Sequence, residues 1–221
     1  RHNWLYAGPV CRIPKPGDFF RFEIGSDSLL VVRGEDGVVR AMHNVCRHRG
    51  SRVCTQPSGH AKKLVCPYHQ WSYDLKGNLQ GIPFKRGLKN EGGGMPRDFR
   101  NEDHGLAKLR VTRLHGVVFA SFSSEVEPIE QYLSPEILKD FEVVFKGRKL
   151  KLLGYYRNEL PGNWKLYHEN LKDPYHATLL HSFLVTFGLM VVGSKNGMIA
   201  DPTGRHGTLA SAKPETMEGV V

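Results

Sequence analysis

A chain of 221 residues, 40% of them hydrophobic and 10% aromatic, can bury one large core or two modest ones, which excludes a disordered segment. The formal charge of +9, from 31 Lys and Arg against 22 Asp and Glu, invites a polyanion, but the cations are scattered outside two clusters, so nucleic acid is not the expected partner. Those clusters, Arg47, Arg49, Arg52, Lys62 and Lys63, then Lys146 to Lys151, read as solvated faces or as a docking surface for an acidic protein.

From Asp18 to Phe122 apolar residues alternate in short runs. Phe19–Ile24, Leu29–Arg33, Val38–Met42, Leu64–Val65, Leu106–Val111 and Gly116–Phe122 are predicted strands, separated by turn signals such as Gly34-Glu35-Asp36-Gly37 and Lys76-Gly77-Asn78. Gly92-Gly93-Gly94 reads as a flexible loop and not as a phosphate cradle, because no Gly-Lys-Ser/Thr follows. The character changes near Glu125 to Pro128, which predicts one domain over 1–126 and the start of another over 127–221. Pro128 to Phe145 has helical spacing, interrupted where Ser134-Pro135 restarts a second helix. Leu150–Leu160 is predicted as a strand opening a second sheet, and Asn163–Phe187 as helical with a break near Pro174. The expected class is α+β: an antiparallel β domain, then the first part of an α+β, helix-grip-like domain. The longest apolar runs, Val117–Phe122 and Ser182–Met190, fall far short of the roughly 20 residues of a bilayer span. No membrane is expected, and without an export leader a cytoplasmic location is.

Four cysteines in this length argue against a disulfide framework and towards metal or redox chemistry. Cys46-Arg-His48 and Cys66-Pro-Tyr-His69 each offer one thiolate and one imidazole, with 17 residues between them. A structural zinc finger takes like pairs from each knuckle. A Rieske [2Fe–2S] cluster holds one iron by two Cys and the other by two His, which two mixed loops reaching from one side satisfy. Cys11 and Cys54 are left over and read as small buried residues.

With their neighbours, Cys46-Arg-His48-Arg-Gly50 and Cys66-Pro-Tyr-His69-Gln-Trp71 resemble the Rieske domain of ring-hydroxylating non-haem iron oxygenases, and the resemblance covers essentially the whole chain. Respiratory Rieske proteins carry a disulfide between these loops; Ser51 and Tyr68 stand in those places here, and Trp71 replaces a sulfur-directed serine. Fewer donors to the cluster imply a low potential.

The stretch from Gly162 to His181 resembles the mononuclear-iron motif of the same family. By position in Asp-x-x-His-x-x-x-x-His, His176 and His181 take the role of iron ligands, and Asp173, with Asn170, that of catalytic residues beside them. Asp173 and His176, three apart, share a helix face, so the carboxylate can hold the second imidazole N–H. His176 and His181 lie about 140° apart on an ideal helix, so the helix must distort or end between them. The family's carboxylate ligand lies far downstream, which implies that the chain is a fragment cut at both ends; Asp201, in the turn signal Asp201-Pro-Thr-Gly, reads as a loop residue.

The resemblance implies the large subunit of a terminal oxygenase that takes electrons from NAD(P)H through a flavin reductase, directly or by way of a ferredoxin, and hydroxylates an aromatic compound with O2. The implied assembly is a homotrimer or an α3β3 complex with a small subunit. Gly94-Met-Pro96-Arg-Asp-Phe99, His104-Gly-Leu-Ala-Lys108 and Lys172-Asp-Pro-Tyr-His176 are most like the branch acting on salicylate, anthranilate and terephthalate. The rivals are a Rieske electron carrier without oxygenase activity, which leaves His176 and His181 idle, and a zinc-binding interaction module.

Overall fold

An uninterrupted apolar run, Leu29-Leu30-Val31-Val32, organises the first half of the chain, because a strand apolar at every position must be covered on both faces. The computed structural model describes residues 2–89, 91–173, 176, 180–187 and 196–211. In it Asp27–Arg33 is the third strand, β3, after β1 (Leu5–Pro9) and β2 (Asp18–Ile24), and is followed by β4 (Val39–His43). Leu29 and Val31 pack on one side with Ile13, Phe20, Ala41 and Val118. Leu30 and Val32 pack on the other with Phe19, Met42, Cys46, Cys66, Trp71 and Tyr73. All four side chains of the run are fully buried, each stabilising the fold by about 1.5–3 kcal/mol. The second of these cores carries the two Cys–His loops, so the sheet's own register fixes what lies beneath the site.

Four further elements complete the frame: β5 (Ser58–His60), β6 (Leu64–Val65), β7 (Ser72–Tyr73) and β8 (Leu79–Gly81). Then come β9 (Lys108–Leu114) and β10 (Val117–Ser121). A seven-stranded sheet runs β1-β10-β9-β4-β3-β2-β5, its named pairings antiparallel, and a three-stranded sheet runs β6-β7-β8. The strands predicted between Asp18 and Phe122 are all present within a few residues of their expected ends. β1, β5, β7 and β8 escaped prediction because they are short, two to five residues each, and carry no alternating apolar run. The Trp4 indole donates to the Glu127 carbonyl at 2.8 Å and ties β1 to the far end of this unit.

The antiparallel expectation holds, and two local readings are corrected. Leu150–Leu160 forms no strand: alternating apolar residues make a strand only against a hydrogen-bonding neighbour, and this segment pairs with none among the described residues. Cys11 and Cys54 are partly and not fully buried, Cys54 against the core beneath the loops. The Gly92-Gly93-Gly94 loop has positive φ at all three residues, and a Cβ on Gly94 would sit 2.5 Å from the Gly87 nitrogen, so glycine is required there for a close approach of chain to chain.

The chain divides into two compact units, 1–129 with 147–152, and 130–146 with 153–221. Helix α1 (Ile129–Phe145) is broken at Ser134, whose φ of 64° resets the chain for Pro135 to open the second piece, as Ser-Pro predicts. The second unit also contains α2 (Trp164–Asn170), α3 (Ser182–Thr186) and an antiparallel hairpin of β11 (Asn196–Ala200) and β12 (Gly207–Ser211). Among the described residues no helix is long and apolar enough to cross a membrane.

Candidate metal centres

The two Cys–His loops are tips of hairpins with the same backbone plan, 20 residues apart. Val45 bridges Arg52 as Val65 pairs Ser72. The Cys46 N–H donates to the Ser51 carbonyl at 2.8 Å and the Cys66 N–H to that of Trp71 at 2.9 Å. The Gly50 N–H closes back on Cys46 O at 3.0 Å, and the Gln70 N–H on Cys66 O at 2.9 Å. Both closing residues have left-handed backbone, φ 72° at Gly50 and 58° at Gln70. The histidine stands two residues after the cysteine in the first loop and three in the second, and the repeat is therefore hard to see in sequence.

Two tips of one shape, facing one another, bring like donors together. The Cys46 and Cys66 thiols are buried and neighbours. The His48 and His69 rings lie 4.5 Å apart at 76°. Burial pushes the Cys46 thiol up; the Tyr73 hydroxyl and the His48 backbone N–H pull the other way, and Cys66 adds to the rise. Burial first, then the charges of His69 and Arg49, lowers the His48 imidazole below its usual range, which keeps it neutral and able to ligate. Its Nδ1 is buried with no hydrogen-bond partner. Such an orphan is costly, about 1–3 kcal/mol, unless a metal takes it. A thiol pair beside an imidazole pair fits a two-iron cluster. It does not fit one zinc ion: among the described residues no three His, Cys, Asp or Glu side chains close on a single ion.

Aromatic rings wall the site. Trp71, 4% exposed, stacks on His48 at 4.9 Å and 9°, and is backed edge-on by Phe99 at 5.9 Å and by His104 at 6.2 Å. Tyr68 covers His69 at 3.7 Å. Tyr73 went unnoticed in the sequence. Its hydroxyl lies 3.3 Å from Cys46 Sγ and accepts the Arg47 N–H at 3.1 Å. Burial, then Cys46 itself, holds that phenol far above its usual range, so it stays a neutral donor. The expectation of few donors to the sulfurs therefore omitted one hydroxyl.

Two outcomes follow. A hydrogen bond to sulfur favours the reduced, more negative state, so Tyr73→Phe lowers the reduction potential by several tens of mV, about 60 mV for each 1.4 kcal/mol of differential stabilisation; voltammetry of the loaded protein checks the sign. Gln70→Gly leaves the site intact and stabilises the fold by roughly 0.5 kcal/mol, the left-handed strain of about 1–2 kcal/mol less the entropy of a freer unfolded chain. Gln70→Val destabilises it by more than about 1 kcal/mol. Thermal unfolding of the two variants against the parent decides.

The second constellation lies in the other unit. Asn163 caps α2, its Oδ1 accepting the Lys165 N–H at 3.0 Å, and Asn170 ends that helix, its carbonyl accepting the Asp173 N–H at 3.3 Å. Asp173 Oδ2 meets His176 Nδ1 at 3.1 Å, as the three-residue spacing predicts. The His176 and His181 rings approach to 5.4 Å, because His181 stands outside the helix just before α3, its carbonyl accepting the Leu184 N–H at 2.9 Å. The break expected at Pro174 lies outside the described residues. Asp173 holds Nδ1, which fixes the tautomer and frees Nε2 of His176 for a metal. Asp201 is spent in the β11–β12 turn, its carboxylate accepting the His206 N–H at 3.0 Å and the Thr203 hydroxyl, and is the loop residue its turn signal suggests. Asn170 lines a depression of about 640 Å³ with Tyr156, Leu160, Trp164 and Tyr167.

Comparison with known proteins agrees with this geometry. A Rieske [2Fe-2S] domain model matches residues 3–91. The large oxygenase component of salicylate 5-hydroxylase from Ralstonia sp. is 52% identical over 96% of this chain and 51% of its own length. The anthranilate 1,2-dioxygenase large subunit of Burkholderia cepacia is 43% identical over 96% and 50%. The crystal structure of naphthalene 1,2-dioxygenase from Rhodococcus sp. bound to indole superposes with a TM-score of 0.75 at 29% identity, covering 86% of this chain and 43% of that one. The chain spans about half the length of the curated relatives it matches. Paired thiols and paired imidazoles on twin hairpin tips, in a sequence with these relatives, are thus a Rieske [2Fe–2S] domain within a chain homologous, along nearly its whole length, to the large components of Rieske oxygenases.

Proposed function

We propose that this chain is part of the terminal oxygenase component of a multicomponent, cytoplasmic aromatic-ring-hydroxylating system, acting on an aromatic carboxylate. The observation that carries the reading is the presence in one chain of two separate donor groups, the Cys46–His48–Cys66–His69 tips and the Asp173–His176–His181 group. When bound, the [2Fe–2S] cluster stores single electrons and the mononuclear iron activates O2. Cys46 and Cys66 would hold one cluster iron, His48 and His69 the other. Tyr73 donates to the Cys46 sulfur, and Trp71 and Tyr68 keep water from the imidazoles. His176 and His181 would hold the mononuclear iron. Asp173 keeps the proton on His176 Nδ1, and its charge reaches towards His48 or His69 of a neighbouring copy in a homotrimer or α3β3 assembly. Asn170, at the end of α2, borders the substrate side. Electrons come from NAD(P)H through a flavin reductase, with or without a ferredoxin. The carboxylate branch is favoured by relatives named for salicylate and anthranilate.

Metal analysis of the intact oxygenase tests the reading against a plain Rieske carrier: three irons per chain with two acid-labile sulfides are expected. Two irons with two sulfides, after reconstitution with excess Fe(II), would leave His176 and His181 without a role and favour the carrier.

A further inference from the structure

The two hairpin tips share a plan but not a base. The second stands on a paired ladder, Leu64 with Tyr73 and Val65 with Ser72. The first has the isolated bridge of Val45 with Arg52, and beyond it Val53 is buried in the core beneath the loops. A side chain supplies the next rung. The Asn44 amide accepts the Cys54 N–H at 2.8 Å and donates to the Cys54 carbonyl at 2.7 Å, the two bonds that a facing backbone makes in an antiparallel pair. Asn44 is fully buried and is itself held: Nδ2 also donates to Ser28 Oγ at 3.2 Å, and the Asn44 N–H donates to the Ser28 carbonyl at 2.8 Å. The Ser28 hydroxyl donates to Glu23 at 3.1 Å, Glu23 pairs with Arg52 at 3.6 Å, and Arg21 donates to the Thr55 carbonyl at 2.7 Å. The return limb of the first tip is thus tied at Arg52, Cys54 and Thr55 to the β2–β3 hairpin. An apolar side chain would fill the place of Asn44 without desolvating an amide, whereas an amide with its bonds made specifies one position of the chain it grips.

We propose that Asn44 is a positioning residue for the [2Fe–2S] cluster: by gripping Cys54 it holds the first tip where Cys46 and His48 meet Cys66 and His69. The proposal rests only on the Rieske assignment of the tips. Asn44 lies just before Cys46 in the chain and grips the strand that returns after His48, so it closes the loop that carries both donors. Without that grip the first tip shifts against the second, whose own ladder is untouched.

Loss of visible absorbance from the intact, cluster-loaded protein in excess EDTA tests it, together with paramagnetic resonance of the dithionite-reduced state. Asn44→Ala is expected to lose its cluster at least about tenfold faster than the parent, the usual cost of removing an outer partner of a metal site. Asn44→Asp, which keeps the shape and the acceptor for the Cys54 N–H, falls between them. Val31→Ala, in the core on the other face of the sheet, lowers thermal stability and leaves the release rate within about twofold. At full iron and sulfide content the Asn44→Ala spectrum is broadened, because the geometry of Cys46 and His48 varies from molecule to molecule, and the Val31→Ala spectrum is not. Ser28→Ala removes one acceptor of the Asn44 amide without opening the core and is expected to release about threefold faster; should Asn44→Ala fail to fold, this variant decides. Parent-like release and line shape in Asn44→Ala, or in Ser28→Ala where it decides, overturn the proposal and leave Asn44 a satisfied core amide. Equal loosening by Val31→Ala overturns it too, since the effect is then one of global stability.

Discussion

Cys66→Ser abolishes the visible absorbance of the protein and its dithionite-reduced paramagnetic signal together. A hydroxyl is a poor substitute for a thiolate at iron, and Cys66 is buried, 1% exposed. The buried hydroxyl also disturbs the core formed with Cys46, Trp71 and Tyr73, by about 1–3 kcal/mol if it finds no partner. Cys66→Ala separates the two effects, since it removes the ligand and leaves only a small void. Both variants are expected colourless, with Cys66→Ala the more stable apoprotein. A coloured Cys66→Ala protein with two irons and two sulfides would show that the pairing of thiols is not what holds the cluster.

Asp173→Asn is the second large effect, and it reads out between the metals instead of at either one. In the structure the Asp173 carboxylate holds His176 Nδ1 at 3.1 Å, and its side chain is 47% exposed. As a bridge, its charge orients two imidazoles, and an amide of the same shape cannot carry that charge; loss of such an outer partner is worth up to about 100-fold. As a helix cap it would be indifferent, because Asn caps about as well as Asp. In the intact, metal-loaded protein the variant is therefore expected to keep both metals and a reducible cluster, yet to slow single-turnover oxidation of the cluster by about 100-fold. Parent-like rates in stopped flow would assign Asp173 to the cap.

Much of this was legible in the residues, and the reasons differ from place to place. The short apolar runs named the central strands because their side chains are buried, although Leu29–Val32 and Val117–Ser121, read as alternating, are buried on both faces. Short strands such as Ser58–His60 were invisible, since they are held by pairing with β2 and not by their own propensity. Leu150–Leu160 failed in the opposite way, having the pattern and lacking the partner. In the first constellation, mixed Cys–His spacing disclosed the donors but not the twin hairpin plan, because that plan is written in backbone hydrogen bonds and in a left-handed Gln70 where the first loop has Gly50. Tyr73 was missed because a tyrosine two residues beyond Trp71 looks like any core aromatic until its hydroxyl is seen 3.3 Å from Cys46 Sγ. In the second constellation the three-residue spacing anticipated the Asp173–His176 contact, although Asp173 lies outside α2, and the angle between His176 and His181 required the helix to distort or end, as the chain does at His181.

Electron paramagnetic resonance of the dithionite-reduced protein, with iron, zinc and acid-labile sulfide measured on the same anaerobic, iron-replete sample, tests the assignment of the twin tips most directly. A coloured protein with two irons and two sulfides at the tips, whose spectrum shows hyperfine coupling to two imidazole nitrogens, is the predicted result. A colourless protein with one zinc per chain and no sulfide would contradict it.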